Sequence, residues 1–121
     1  MEHIKTLVIG ASLKPERFSH LAIKELVSRK FPVVALGLRE GSVAGVTIER
    51  PFHSFDGIHT ITLYLGQKNQ QPYYDYILNM KPERIIFNPG TENDEFENRL
   101  EEAGIKVVRG CTLVMLTNGT Y

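Results

Sequence analysis

The sequence predicts an α/β domain: a doubly wound, parallel sheet of five strands in the order 3-2-1-4-5, with helices on both faces. Three observations carry that reading. Five short apolar runs rich in β-branched residues are spaced along the 121 residues. Segments with helical periodicity separate them, and such alternation builds a parallel sheet covered on both sides. Each run ends in small residues: Gly10, Gly37, Gly66, Pro89-Gly90 and Gly110-Cys111. In sheets of this kind ligands bind beyond the strand C-termini, here at the expected switch between strands 1 and 4.

Leu7-Val8-Ile9 is the first strand, too short for a helix, and Gly10 ends it. The turn Gly10-Ala11-Ser12 and a helix start follow. Backbone N–H groups and the positive end of the helix dipole favour a phosphate there. The Ser12 hydroxyl can donate to it, Arg17 can grip it with two donors, and Lys14 and Ser19 lie in the same stretch. The dinucleotide pattern G-x-G-x-x-G is not met, because Ser12 and Pro15 stand at the second and third glycine positions.

Ser19 is the expected N-cap of a helix over 20–29, with Leu21, Ala22, Ile23, Leu26 and Val27 on one face. Pro32 stops it, and Val33–Leu36 is the second strand. After that strand an acidic residue would hold ribose hydroxyls, but Gly37-Leu38-Arg39 stands there. Gly37 lets a ligand approach the backbone, and Arg39 suits a phosphate carried on the ribose. Residues 40–58 read as a short turn or helix and an irregular crossover, with a short extended piece at Val46–Ile48. His59–Leu65 alternates as the third strand. Gln67–Gln71 is polar loop, and Pro72–Met80 is a helix with Pro in its first turn. Arg84–Asn88 is the fourth strand, Asp94–Ala103 a helix stopped by Gly104, and Ile105–Arg109 the fifth strand. Leu113–Leu116 closes the chain as a short helix or extended cap.

Length makes residues 1–121 one domain. Charges balance at 14 basic and 14 acidic residues, so no bulk field draws in nucleic acid or an anionic membrane. No apolar run approaches the roughly 20 residues that span a bilayer. Met1–Ile4 lacks the pattern of a signal peptide, and a lone Cys111 excludes an internal disulfide. The expected location is cytoplasmic. His3, His20, His53 and His59 show no metal-ligand spacing and read as surface or loop histidines. No Ser-His-Asp set, carboxylate pair or G-x-S-x-G is implied by spacing, so a binding module precedes an enzyme as the reading. The residue chemistry also admits an NADP-type oxidoreductase or sensor using the same turn and Arg39, or a regulatory partner that has lost its ligand. Cys111, on the ligand edge, reads as a small buried hydrophobe or as a thiol able to form a mixed disulfide with a ligand thiol.

V-I-G-A-S-x-K-P-x-R-x-S-H, from Val8 to His20, resembles the opening of the small stand-alone CoA-binding proteins. Their Rossmann-like domain is similar to the N-terminal domain of the succinyl-CoA synthetase alpha subunit. The likeness extends to the Gly37/Arg39 region, Gly45-Val46 with Pro51, Phe87–Gly90 and Gly110-Cys111. It departs from the commoner pattern at Gly37-Leu38, where Asn-Pro is usual, and at Asn88–Gly90, where Gln and Gly are usual. The resemblance implies coenzyme A or an acyl-CoA as ligand, with the nucleotide over Gly10-Ala11-Ser12 and contacts from Arg17, Ser19 and Arg39. It leaves open a homodimer or a partner enzyme. Nothing in the chain matches the ligase machinery of the larger enzymes.

Overall fold

The computed structural model describes residues 4–121. Its centre is β1 (Thr6–Ile9), buried along its whole length. Leu7 and Ile9 face one side of the sheet and Val8 the other, which is the period-two alternation of a strand covered on both faces. Helix α1 (Phe18–Ser28) carries the chain back to β2 (Val33–Leu36), parallel to β1.

The next two elements correct the expected topology. Gly41–Val43 (β3) and Val46–Glu49 (β4) form an antiparallel hairpin, and β4 pairs in parallel with the outer edge of β2. The two-residue turn has Ala44 at φ 51° and Gly45 at φ 82°. Positive φ at both positions is the hairpin turn whose twist matches that of paired strands. The extended piece expected at Val46–Ile48 is thus β4, and with β3 it turns the start of the segment expected as an irregular crossover into a sheet edge.

The chain then crosses to the far side of β1. There β5 (Thr60–Leu63) pairs with β1, followed outward by β6 (Arg84–Phe87) and β7 (Lys106–Arg109). Among the described residues the sheet has seven strands, not five, in the order β3-β4-β2-β1-β5-β6-β7. The strand expected third is β5, and it borders β1 directly. Counting β4, the parallel strands run 3-2-1-4-5-6. Winding reverses between β1 and β5, and a Rossmann-like sheet opens its crevice at that reversal.

Two 3₁₀ turns, Gln67–Asn69 and Gln71–Tyr73, lead into α2 (Tyr74–Met80), replacing the single helix expected from Pro72. Helices α2 and α3 (Asp94–Glu102) cover one face, where Ile77, Phe96 and Leu100 pack on Leu7, Ile61 and Phe87. Helices α1 and α4 (Thr112–Asn118) cover the other, with Ile23, Leu26 and Leu116 on Val8 and Ala35. No helix among the described residues is long and apolar enough to cross a membrane.

Candidate functional site

At the reversal, β1 ends in Gly10 at φ 93°, a left-handed conformation that side chains rarely adopt. A Cβ there would also lie 3.1 Å from the Tyr64 backbone. Gly10 N–H and Ala11 N–H both donate to the Leu36 carbonyl, at 3.1 and 2.9 Å. These two donors, expected to face a phosphate, instead lock the turn to the end of β2. The free donors lie further on. Neither Ser12 N–H nor Leu13 N–H makes a hydrogen bond among the described residues. Lys14 N–H donates to Ser12 Oγ at 3.1 Å, which closes the turn tightly.

Helix α1 starts after Arg17, which takes the cap position with an extended backbone, and no side chain caps it. Ser19, expected as the cap, is instead the second helical residue and is buried. The first-turn N–H groups have no intrahelical partner by geometry, and no side-chain oxygen among the described residues caps them. A positive helix end of eleven residues thus faces the turn without an internal anion.

Two joined crevices open around this point. The larger, about 580 Å³, runs toward the end of β2 and is walled by Lys14, Gly37, Leu38, Arg39 and Tyr73. The smaller, about 310 Å³, runs toward the end of β6 past Phe18, Ser19, Gly66, Pro89 and Gly90. Gly10, Ser12, Arg17 and Tyr64 line both. Among the described residues, Lys14, Arg17 and Arg39 pair with no carboxylate. The Tyr64 side chain packs into the α1/α4 side, where its hydroxyl is buried near Thr62 and Thr112 with no hydrogen-bond partner among the described residues. Burial pushes that hydroxyl up to about 12.

Two expectations need correction here. A Cβ on Gly37 would fall 2.5 Å from the Ala11 carbonyl oxygen and 2.8 Å from Ile48 Cγ2. The glycine admits the protein's own backbone, because the ends of β1, β2 and β4 converge there. His20, read as a surface or loop histidine, is 6% exposed within α1, and its Nδ1 lies 2.8 Å from the Ser12 carbonyl. His53 is exposed, His59 half-buried at the start of β5, and His3 lies outside the described residues. Cys111 precedes α4, half-buried, and lines neither crevice.

The walls rest on buried polar side chains that have no local sequence signature. Asn88, at the end of β6, donates to Thr62 Oγ1 at 2.8 Å and to the Leu63 carbonyl at 3.0 Å, and accepts from Thr112 N–H at 2.9 Å. It ties β5, β6 and α4 together beneath the smaller crevice. Gln70 donates to the Leu65 and Thr91 carbonyls and accepts from Asn93, which also caps α3 through Phe96 N–H. These bonds hold the loops after β5 and β6 in one arrangement.

The groove fits an elongated anion. Among the described residues nothing neutralises the helix N-terminus at its middle or pairs with the cations beside it, and there is room on either side.

Solved structures with this architecture include one described as an uncharacterized protein, 46% identical over 98% of both chains with a TM-score of 0.94. Another, cell-free ID.343 from Thermus thermophilus, is 19% identical over 98% of this chain and 90% of its own, with a TM-score of 0.86. The dinucleotide forming acetyl-coenzyme A synthetase 1 of Ca. Korarchaeum cryptofilum shares the fold at 15% identity and a TM-score of 0.73, over 88% of this chain and 26% of that one. Comparison with curated proteins gives no match. Residues 5–117 match the family model described as a CoA binding domain, and the chain belongs to that family.

Proposed function

We propose that the chain binds coenzyme A, free or acylated, along the two-lobed groove at the carboxyl edge of the sheet. The observation that carries this is the uncapped N-terminus of α1, which opens where the two crevices meet and has Arg17 and Ser12 beside it. A diphosphate placed there receives backbone N–H groups, a hydroxyl and a guanidinium together. The crevice toward β2 takes the adenosine, with Arg39 and Lys14 as partners for the phosphate on its ribose. The crevice toward β6, walled by Gly66, Pro89 and Gly90, takes the pantetheine arm. The sizes of both crevices suit an extended cofactor. This reading assigns binding to the Gly10–Ser19 stretch and no chemistry. Cys111 lies outside the groove lining, so a mixed disulfide with the ligand thiol is not part of it.

The test is calorimetry and thermal melting with CoA, acetyl-CoA and NADPH. A ligand at a hundred times its Kd adds about 2.7 kcal/mol, or roughly 10 °C in Tm for a chain of this length. CoA species are expected to give that shift and NADPH a smaller one. No shift with any CoA species at millimolar concentration would overturn the proposal. A larger shift with NADPH would replace it with an NADP-type site.

A further inference from the structure

His20 carries no role in the binding reading so far, yet it is the buried side chain that joins the phosphate-binding helix to the turn before it. It is the third residue of α1, 6% exposed, with Nδ1 2.8 Å from the Ser12 carbonyl oxygen. A carbonyl oxygen only accepts, so the proton sits on Nδ1. This side-chain bond crosses eight residues of sequence from helix to turn.

The consequence lies on the other side of the peptide. In a trans peptide the C=O and the following N–H point in opposite directions within one plane. Holding the Ser12 carbonyl against the imidazole therefore turns the Leu13 N–H away from α1. Leu13 lines the larger crevice, and its N–H makes no hydrogen bond among the described residues. Ser12 Oγ accepts from Lys14 N–H across the same peptide, so the imidazole holds the Ser12–Leu13 plane together with this turn bond.

We infer that His20 is a positioning residue. Its Nδ1–H fixes the Ser12–Leu13 peptide so that Leu13 N–H is presented to an anionic oxygen of the ligand. The inference rests on the coenzyme A reading for the identity of that oxygen, but the orientation of the peptide does not.

Two variants separate the hydrogen bond from the packing. Asparagine carries its amide nitrogen near the place of Nδ1 and can still donate to Ser12, whereas leucine fills similar space without a donor. The expectation is that His20→Leu weakens CoA binding about five- to tenfold, the scale of one misplaced hydrogen bond. His20→Asn is expected to stay within about threefold of wild type. Amide hydrogen exchange on the ligand-free proteins is the second readout. Ser12–Lys14 amides are expected to exchange faster in the leucine variant and near wild-type rates in the asparagine variant, with the β1 amides unchanged in both. Equal CoA affinity in the leucine variant, or equal losses in both variants, overturns the inference. If wild type binds no CoA, the ligand reading fails, and the exchange pattern alone then decides whether His20 orders the turn.

Discussion

Gly37→Ala is the sharpest test of how the groove is built. The added methyl would sit 2.5 Å from the Ala11 carbonyl oxygen and 2.8 Å from Ile48 Cγ2. Relief requires one of these to move. Ala11 is held by its N–H on the Leu36 carbonyl at 2.9 Å, and Gly37 by its own N–H on the Glu49 carbonyl at 3.0 Å. Ile48 is fully buried. With backbone on one side and packed core on the other, the cost falls at the upper end of the range for overpacking, about 3 kcal/mol. For 121 residues that lowers Tm by about 12 °C. The matched control is Gly66→Ala, where φ is −63° and, apart from its chain neighbours, none of the described residues comes within 4 Å of the added methyl. Reduced freedom of the unfolded chain should raise stability there by about 0.4–1 kcal/mol, or roughly 2–4 °C. Both are read by thermal melting followed by far-UV circular dichroism, without ligand. If Gly37→Ala melts within 2–3 °C (about the control's shift) of wild type, the close approach of β2 to the Ala11 turn is not what demands glycine. A drop for Gly66→Ala equal to that of Gly37→Ala would refute the distinction altogether.

Three further outcomes follow from the same geometry. Asn88→Ala removes two donated bonds and leaves the Thr112 N–H unpaired in the interior, so a loss of about 3 kcal/mol is expected from denaturant unfolding; a loss under about 1 kcal/mol would show that Asn88 is not the tie between β6 and α4. Arg17→Ala should weaken CoA at least about tenfold, as loss of a charge-assisted bond does, and should flatten the decline of affinity with added salt; an unchanged salt dependence in calorimetry would remove Arg17 from the phosphate contacts. Burial pushes the hydroxyls of Tyr64 and Tyr76 up to about 12, which favours their neutral forms in the fold. Above pH 10 the unfolded chain sheds these protons first, so their stabilising contribution is complete below pH 10 and is lost as pH rises toward 12. Denaturation midpoints at pH 9, 10 and 11 should fall for wild type and fall less steeply for Tyr64→Phe; parallel declines would rule out Tyr64 as a source.

What the chain's sequence determined by itself was local. The β-branched runs at 7–9, 33–36 and 84–87 are strands because such residues suit a pleated, buried surface, and Gly10 ends the first because only glycine takes its φ of 93° easily. The helix expected over Asp94–Ala103 is α3, and Gly104, at φ 83°, follows its end as expected. The strand, small-residue turn and helix start through Gly10–Ser19, where we propose that the ligand binds, were legible too, since they lie in sequence order. Tertiary structure decided the rest, because those features depend on residues far apart in the chain. The hairpin at 41–49 becomes a sheet edge only through pairing with β2, and that pairing moves β5 to the other side of β1. Gly37 is required by a carbonyl 26 positions earlier, which no local pattern reveals. Asn88 and Gln70 find partners more than twenty residues away, and His20 reaches back to Ser12 only because α1 folds over the turn. Propensity and turn chemistry act over a few residues; the choice of neighbour for a buried polar group or a missing methyl is made by the packed sheet.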